Sequence, residues 1–173
     1  MWKNFTKIYG ESEDGLFAGM DIQEAALVDL SYAKWEEKQA AAAFSKAEMI
    51  AVSGIFSGKA PFERLDRAVV VTMPAGDTGL VAADTPAWQQ LLQVMESEKL
   101  TTVYDLKLYY HAGIKAGAGY FDIKLADYLI HPELSKYELS NLSHQYFPEQ
   151  SVPDQFEDEI QQAVWTEKLI AGL

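Results

Sequence analysis

Hydrophobic and polar positions divide the chain into short segments of two periods. Tyr32 to Glu48 is rich in Ala, Glu and Lys, with Ser31 ahead of it as a cap, and predicts a helix. Met49–Val52 is a short apolar run of buried-strand type, followed by a loop at Ser53-Gly54 and Ser57–Pro61. Arg67–Met73, RAVVVTM, is the strongest strand; a turn over Pro74–Gly79 and a return strand over Leu80–Ala83 make a hairpin. Asp84-Thr85-Pro86 opens a helix in which Trp88, Leu91, Leu92 and Met95 recur at helical spacing. Thr101–Tyr104 is β-branched and aromatic and predicts a strand. Asp105 then caps a helix carrying Leu106, Leu108, Tyr109 and Ala112 on one face. Gly113, Gly117 and Gly119 break it, Tyr120-Phe121 is briefly extended, and Asp122 caps a helix that ends at Pro132. Ile123, Ala126, Leu129 and Ile130 are the apolar positions of that helix, with Asp127 as a polar interruption. Leu134–Gln145 predicts a short helix, and a last one carries Phe156, Ile160, Ala163, Val164, Leu169 and Ile170. Glu157, Asp158 and Glu159 at its start suit the helix dipole.

Strand, helix, strand, hairpin, helix, strand and then helices describe an α/β domain with a mixed sheet flanked by helices. Upstream, residues 1–15 read as a flexible N-terminal segment, and Ala26–Leu30 is the better of two candidate edge strands within Leu16–Leu30. Residues 16–173 read as a single domain, with no internal repeat and no composition shift.

Composition narrows the function classes. The chain has 173 residues, 49% of them hydrophobic, enough for a real core and too apolar for disorder. No apolar run approaches the ~18 residues of a membrane span, and the N-terminus lacks the apolar centre of a signal peptide. With no cysteines, disulfide and thiolate chemistry are excluded and a cytoplasmic location is expected. The net charge of −12 argues against a broad face that grips phosphates; the isolated domain is expected to bind DNA weakly or not at all.

Few local motifs carry chemistry. Ser57-Gly58-Lys59 lacks the spacing of a phosphate loop, because Gly54 is misplaced and Ala60 follows the lysine. His111, His131 and His144 are scattered and read as surface or capping residues rather than a metal cluster. No Gly-x-Ser-x-Gly elbow supports a serine nucleophile. Tyr104, Tyr109, Tyr110, Tyr120, Phe121 and Tyr128 could stack on bases, but most sit inside predicted elements and read as core.

The run Asp105-Leu106-Lys107-Leu108-Tyr109, then Phe121-Asp122, then Asp127-Tyr128-Leu129-Ile130-His131-Pro132 resembles the second motif region of the 3′–5′ exonuclease domain of bacterial family A DNA polymerases (DNA polymerase I). The resemblance covers roughly Ala47 to the C-terminus. It implies a ribonuclease-H-like sheet and, in active relatives, Mg²⁺ ions held by four carboxylates. It also implies where those carboxylates belong. The first motif, an Asp-x-Glu pair on the first core strand, falls at Ser53 and Ile55. The second ends in an Asp, here Tyr109. The third, Tyr-x-x-x-Asp on the last helix, falls loosely on Ala163–Glu167, leaving Glu167 as the one remnant. The chain is thus similar to the degenerate exonuclease domains of several Gram-positive polymerases. The resemblance implies a silent domain excised from a longer polymerase chain, with no catalytic residues, no cofactor, the polymerase domain as partner, and DNA met only in the intact protein. Two alternatives remain open: an active nuclease whose metal ligands are rearranged to Asp105, Asp122, Asp127 and Glu167, and a free-standing acidic interaction module.

Overall fold

A computed structural model of the chain describes residues 29–146 and 158–172. Its centre is a six-stranded mixed sheet in the order β1-β4-β3-β2-β5-β6. The strands are β1 (Ala33–Lys34), β2 (Met49–Ser57), β3 (Arg64–Met73), β4 (Thr78–Ala82), β5 (Leu100–Val103) and β6 (Tyr120–Asp122). β2, β3 and β4 form an antiparallel meander, whereas β5 joins β2 and β6 joins β5 in parallel. The two-residue β1 lies parallel to β4 at the opposite edge. Helices α1 (Glu37–Lys46), α2 (Pro86–Glu96), α3 (Leu106–His111), α4 (Ile123–Ile130), α5 (Leu139–Tyr146) and α6 (Glu159–Gly172) follow in chain order.

Strand alternation sorts the core into two layers. Ile50 and Val52 of β2 and Ala68 and Val70 of β3 pack with Phe44 of α1, Trp88, Leu91 and Met95 of α2, and Tyr109 of α3. The intervening positions face the other way. Ile55, Val69 and Leu80 meet Ala163 and Val164 of α6, and Ala51 meets Ile123 of α4, Leu142 of α5 and Ile170 of α6. Central β3 is covered on both faces, which is why its Ala68–Val71 stretch reads as an unbroken apolar run.

Several predicted boundaries move, each for a local reason. The first helix starts at Glu37 rather than Tyr32, because Ala33-Lys34 is drawn into the sheet against Gly79-Leu80. Ser31 does not cap it; its hydroxyl bonds Asp29, and the Glu36 amide donates to the Gln39 side chain at 2.9 Å instead. Ser53-Gly54 is not a loop: β2 runs on to Ser57, held in register by β3 beyond a bulge at Ile55/Phe56. The helix expected over Leu134–Gln145 is confined to Leu139–Tyr146. Residues 1–15, the start of the Ala26–Leu30 strand, and Phe156 and Glu157 lie outside the described residues, while Asp29 and Leu30 are not in a strand.

The glycine turn between α3 and β6 is a close backbone approach. A Cβ on Gly117 would lie 2.0 Å from the Ser97 carbonyl oxygen, and one on Gly119 2.6 Å from that of Lys99. This contact brings β6 beside β5 and so sets where α4 begins. A second tie is Lys99, whose ammonium donates to the carbonyls of Phe44 at 2.6 Å and Ala47 at 2.5 Å. It thereby closes the C-terminal end of α1, where carbonyls lack helical partners.

Lys99→Ala is expected to lower stability by about 1–3 kcal/mol, the range for hydrogen bonds to a charged donor and the acceptors they leave behind. The urea midpoint should fall at an unchanged denaturant slope. Lys99→Met, which keeps the apolar stem, should restore little of it.

Candidate functional site

The second helix–strand junction is organised by one carboxylate. Asp122 accepts the Leu106 amide at 2.9 Å with one oxygen and the Leu125 amide at 3.1 Å with the other. It therefore caps α3 and α4 together. Asp105 occupies the N-cap position of α3 but does not cap it; its side chain is drawn 2.6 Å from the Lys124 ammonium. The capping role expected of Asp105 thus belongs to Asp122, sixteen residues beyond the Leu106 amide it accepts.

The cleft lies where β2 and β5 end and α3 begins, roofed by α6. Its volume is about 390 Å³. Such a position, beyond the carboxyl ends of parallel strands, is where open α/β sheets present their sites. Ser53 and Ile55 come from β2, Tyr104 and Asp105 from the end of β5, Leu108 and Tyr109 from α3, and Glu159, Gln162, Ala163 and Thr166 from α6. Ser53, Ile55 and Tyr109 are therefore brought together. Ile55 joins the apolar cluster under α6.

Tyr109 is 3% exposed. Its hydroxyl donates to the Val52 carbonyl at 2.7 Å, and its ring meets Phe56 edge-on with centroids 5.2 Å apart. Burial, then the nearby Glu167 carboxyl, holds the phenol well above its ordinary range. At the mouth, the Tyr104 hydroxyl donates to the Tyr137 carbonyl, and burial pushes this phenol up to about 12.

Among the described residues Asp105 and Glu159 are the two carboxylates that line the cleft, and each has a cation beside it. Asp105 pairs with Lys124 and Glu159 with Arg67 of β3. Glu167 does not line the cleft. It is fully buried, on the stripe of α6 that includes Ala163, Val164 and Ile170, and neither carboxyl oxygen has a hydrogen-bond partner among the described residues. Burial raises its pKa well above the usual carboxylate range. The α6 pair at four-residue spacing that does face the cleft is Gln162 and Thr166, with the Thr166 hydroxyl donating to the Gln162 carbonyl at 2.9 Å.

The rearranged metal set is not assembled. Asp105 and Asp122 are committed to Lys124 and to two amides, Asp127 is 4% exposed inside α4, and Glu167 is sealed under α6. No group of three or more candidate ligands forms among the described residues. The histidines stay apart: His111 pairs with Glu63 at 3.1 Å, His131 lies 2.9 Å from Gln145, and the His144 side chain is outside the described set. Of the aromatic group, only Tyr109 is buried; Tyr110, Phe121 and Tyr128 are about half exposed, so the core reading fails for them. Lys124, Arg67, Gln162 and Thr166 were not apparent as site residues in the sequence. The i, i+3, i+7 spacing of Glu159, Gln162 and Thr166 is the signal that links the α6 members.

No protein-family model matches the sequence, and no curated protein matches it. Solved structures do resemble it. A complex of the POL domain of M. smegmatis Pol1 with DNA primer-template and dNTP aligns at 17% identity and a TM-score of 0.67, covering 82% of this chain and 26% of that one. Brucella melitensis NrnC with bound Mg²⁺ aligns at 12% identity and a TM-score of 0.57, covering 82% and 74%. Escherichia coli RNase D, an exoribonuclease involved in structured RNA processing, aligns at 11% identity and a TM-score of 0.51, covering 82% and 43%. The chain spans about a quarter of the polymerase it matches. At these identities the likeness shows the fold, which is the ribonuclease-H-like, 3′–5′ exonuclease-like α/β fold. Among the described residues no helix is long and apolar enough to cross a membrane.

Two measurements check the site's construction. Asp122→Ala removes the acceptor for both amides and should cost about 1–3 kcal/mol; amide exchange should quicken at Leu106 and Leu125 together. Glu167 sets a pH dependence. Unfolded, it titrates near about 4.3; folded, its pKa is higher, so between those values the unfolded chain holds fewer protons. Its contribution is full below about pH 4.3 and is lost as pH rises, by about 1.4 kcal/mol per unit, until the folded carboxyl ionises. Glu167→Gln should remove that slope. Equal pH profiles for wild type and variant would contradict the assignment.

Proposed function

We propose that the chain is a catalytically silent 3′–5′ exonuclease-like domain of a DNA polymerase I-type protein, serving as structural support for a polymerase domain in replication or repair. The observation that carries this reading is the occupancy of the cleft. Two-metal hydrolysis needs clustered hard oxygen donors that hold both ions and orient the attacking water. Where the family's first two motifs place carboxylates, this cleft presents Ser53, Ile55 and the hydroxyl-bonded Tyr109. The carboxylates it does contain, Asp105 and Glu159, already face Lys124 and Arg67. These residues do not fit a pair of divalent ions, and no catalytic step is assigned to them. The net charge of −12 agrees with a domain that leaves the grip on DNA to other parts of its protein. The polymerase assignment is supported by the motif resemblance around Phe121-Asp122 and by the alignment with M. smegmatis Pol1.

Calorimetric titration with Mg²⁺ or Mn²⁺ should reveal no saturable site, and labelled single-stranded DNA should be degraded no faster with either ion than with chelator. Metal-dependent digestion that disappears in Glu167→Gln would overturn the silent reading. The polymerase assignment has its own test. The genomic reading frame should continue past Leu173 into polymerase motifs, and a stop codon there would remove it while leaving the metal result standing.

A further inference from the structure

We draw no further inference here: the strongest candidate, the apolar face that Phe121, Leu125, Tyr128, Leu129 and Ile130 expose along β6 and α4, carries nothing because nothing in the structure shows what covers it.

Discussion

The hydrogen bond from the Tyr109 hydroxyl to the Val52 carbonyl is the constraint around which the cleft is built. It crosses from α3 to the central strand, 57 residues apart in sequence. Tyr109 is nearly inaccessible, so its hydroxyl must find a partner or bear the cost of desolvation, about 1–3 kcal/mol. One interaction therefore fixes the depth of α3, the rotamer of the tyrosine and the end of the space above β2. The edge-on contact with Phe56 holds the ring from the side and adds about 0.5–1.5 kcal/mol beyond area burial. A carboxylate at position 109 could donate nothing to that carbonyl while ionised, and would need a cation beside it. Packing of the tyrosine kind and ligand duty of the carboxylate kind are mutually exclusive at this position.

The same logic extends to the charges nearby. Asp105 and Glu159 enter the cleft from β5 and α6, and each meets an internal cation from a different element, α4 and β3. The Arg67–Glu159 pair is exposed, and pairs of that sort contribute little to stability, about 0–1 kcal/mol. Their consequence is local: the negative potential that would attract a divalent ion is already offset by groups that cannot diffuse away. Glu167 is resolved differently. Among the described residues neither oxygen has a hydrogen-bond partner, and burial raises its pKa well above the usual carboxylate range.

Much of the architecture was legible because the apolar runs are strong. The β3–β4 hairpin, the Thr85–Pro86 start of α2 and the strand before Asp105 all lie where periodicity placed them. The failures share a cause, long-range pairing that local propensity cannot register. Ser53-Gly54 looks like a turn, yet full pairing with β3 keeps it extended. Asp105 has the position of a cap, yet Asp122 reaches its helix first and Lys124 takes the freed carboxylate. The α4 pattern inverts past its first turn: Ile123 is buried as expected, but so is Asp127, while Leu129 is 71% and Ile130 61% exposed. Within the cleft, Ser53, Ile55 and Tyr109 could be placed together because a resemblance supplied the alignment. Their cationic neighbours could not, since Arg67 and Glu159 are 92 residues apart.

A ribonuclease-H-like sheet can present such a cleft without structural loss because much of its core lies outside the site and the residues within it pack well. In the layer on the α1 and α2 side of the sheet, α1 and α2 line no part of the cleft, and Leu91, Met95 and Val70 of β3 are fully buried there. On the opposite layer, Ile55 is in contact with the cluster of Val69, Leu80, Ala163 and Val164. Burying a side chain of that size contributes about 1.5–3 kcal/mol. A carboxylate at position 55 would forgo that contact and add a like charge near Glu159, a cost that bound cations would have to offset. Each non-ligating residue at these positions therefore favours the fold in the absence of metal, the expected direction where the demands of an active site oppose those of stability.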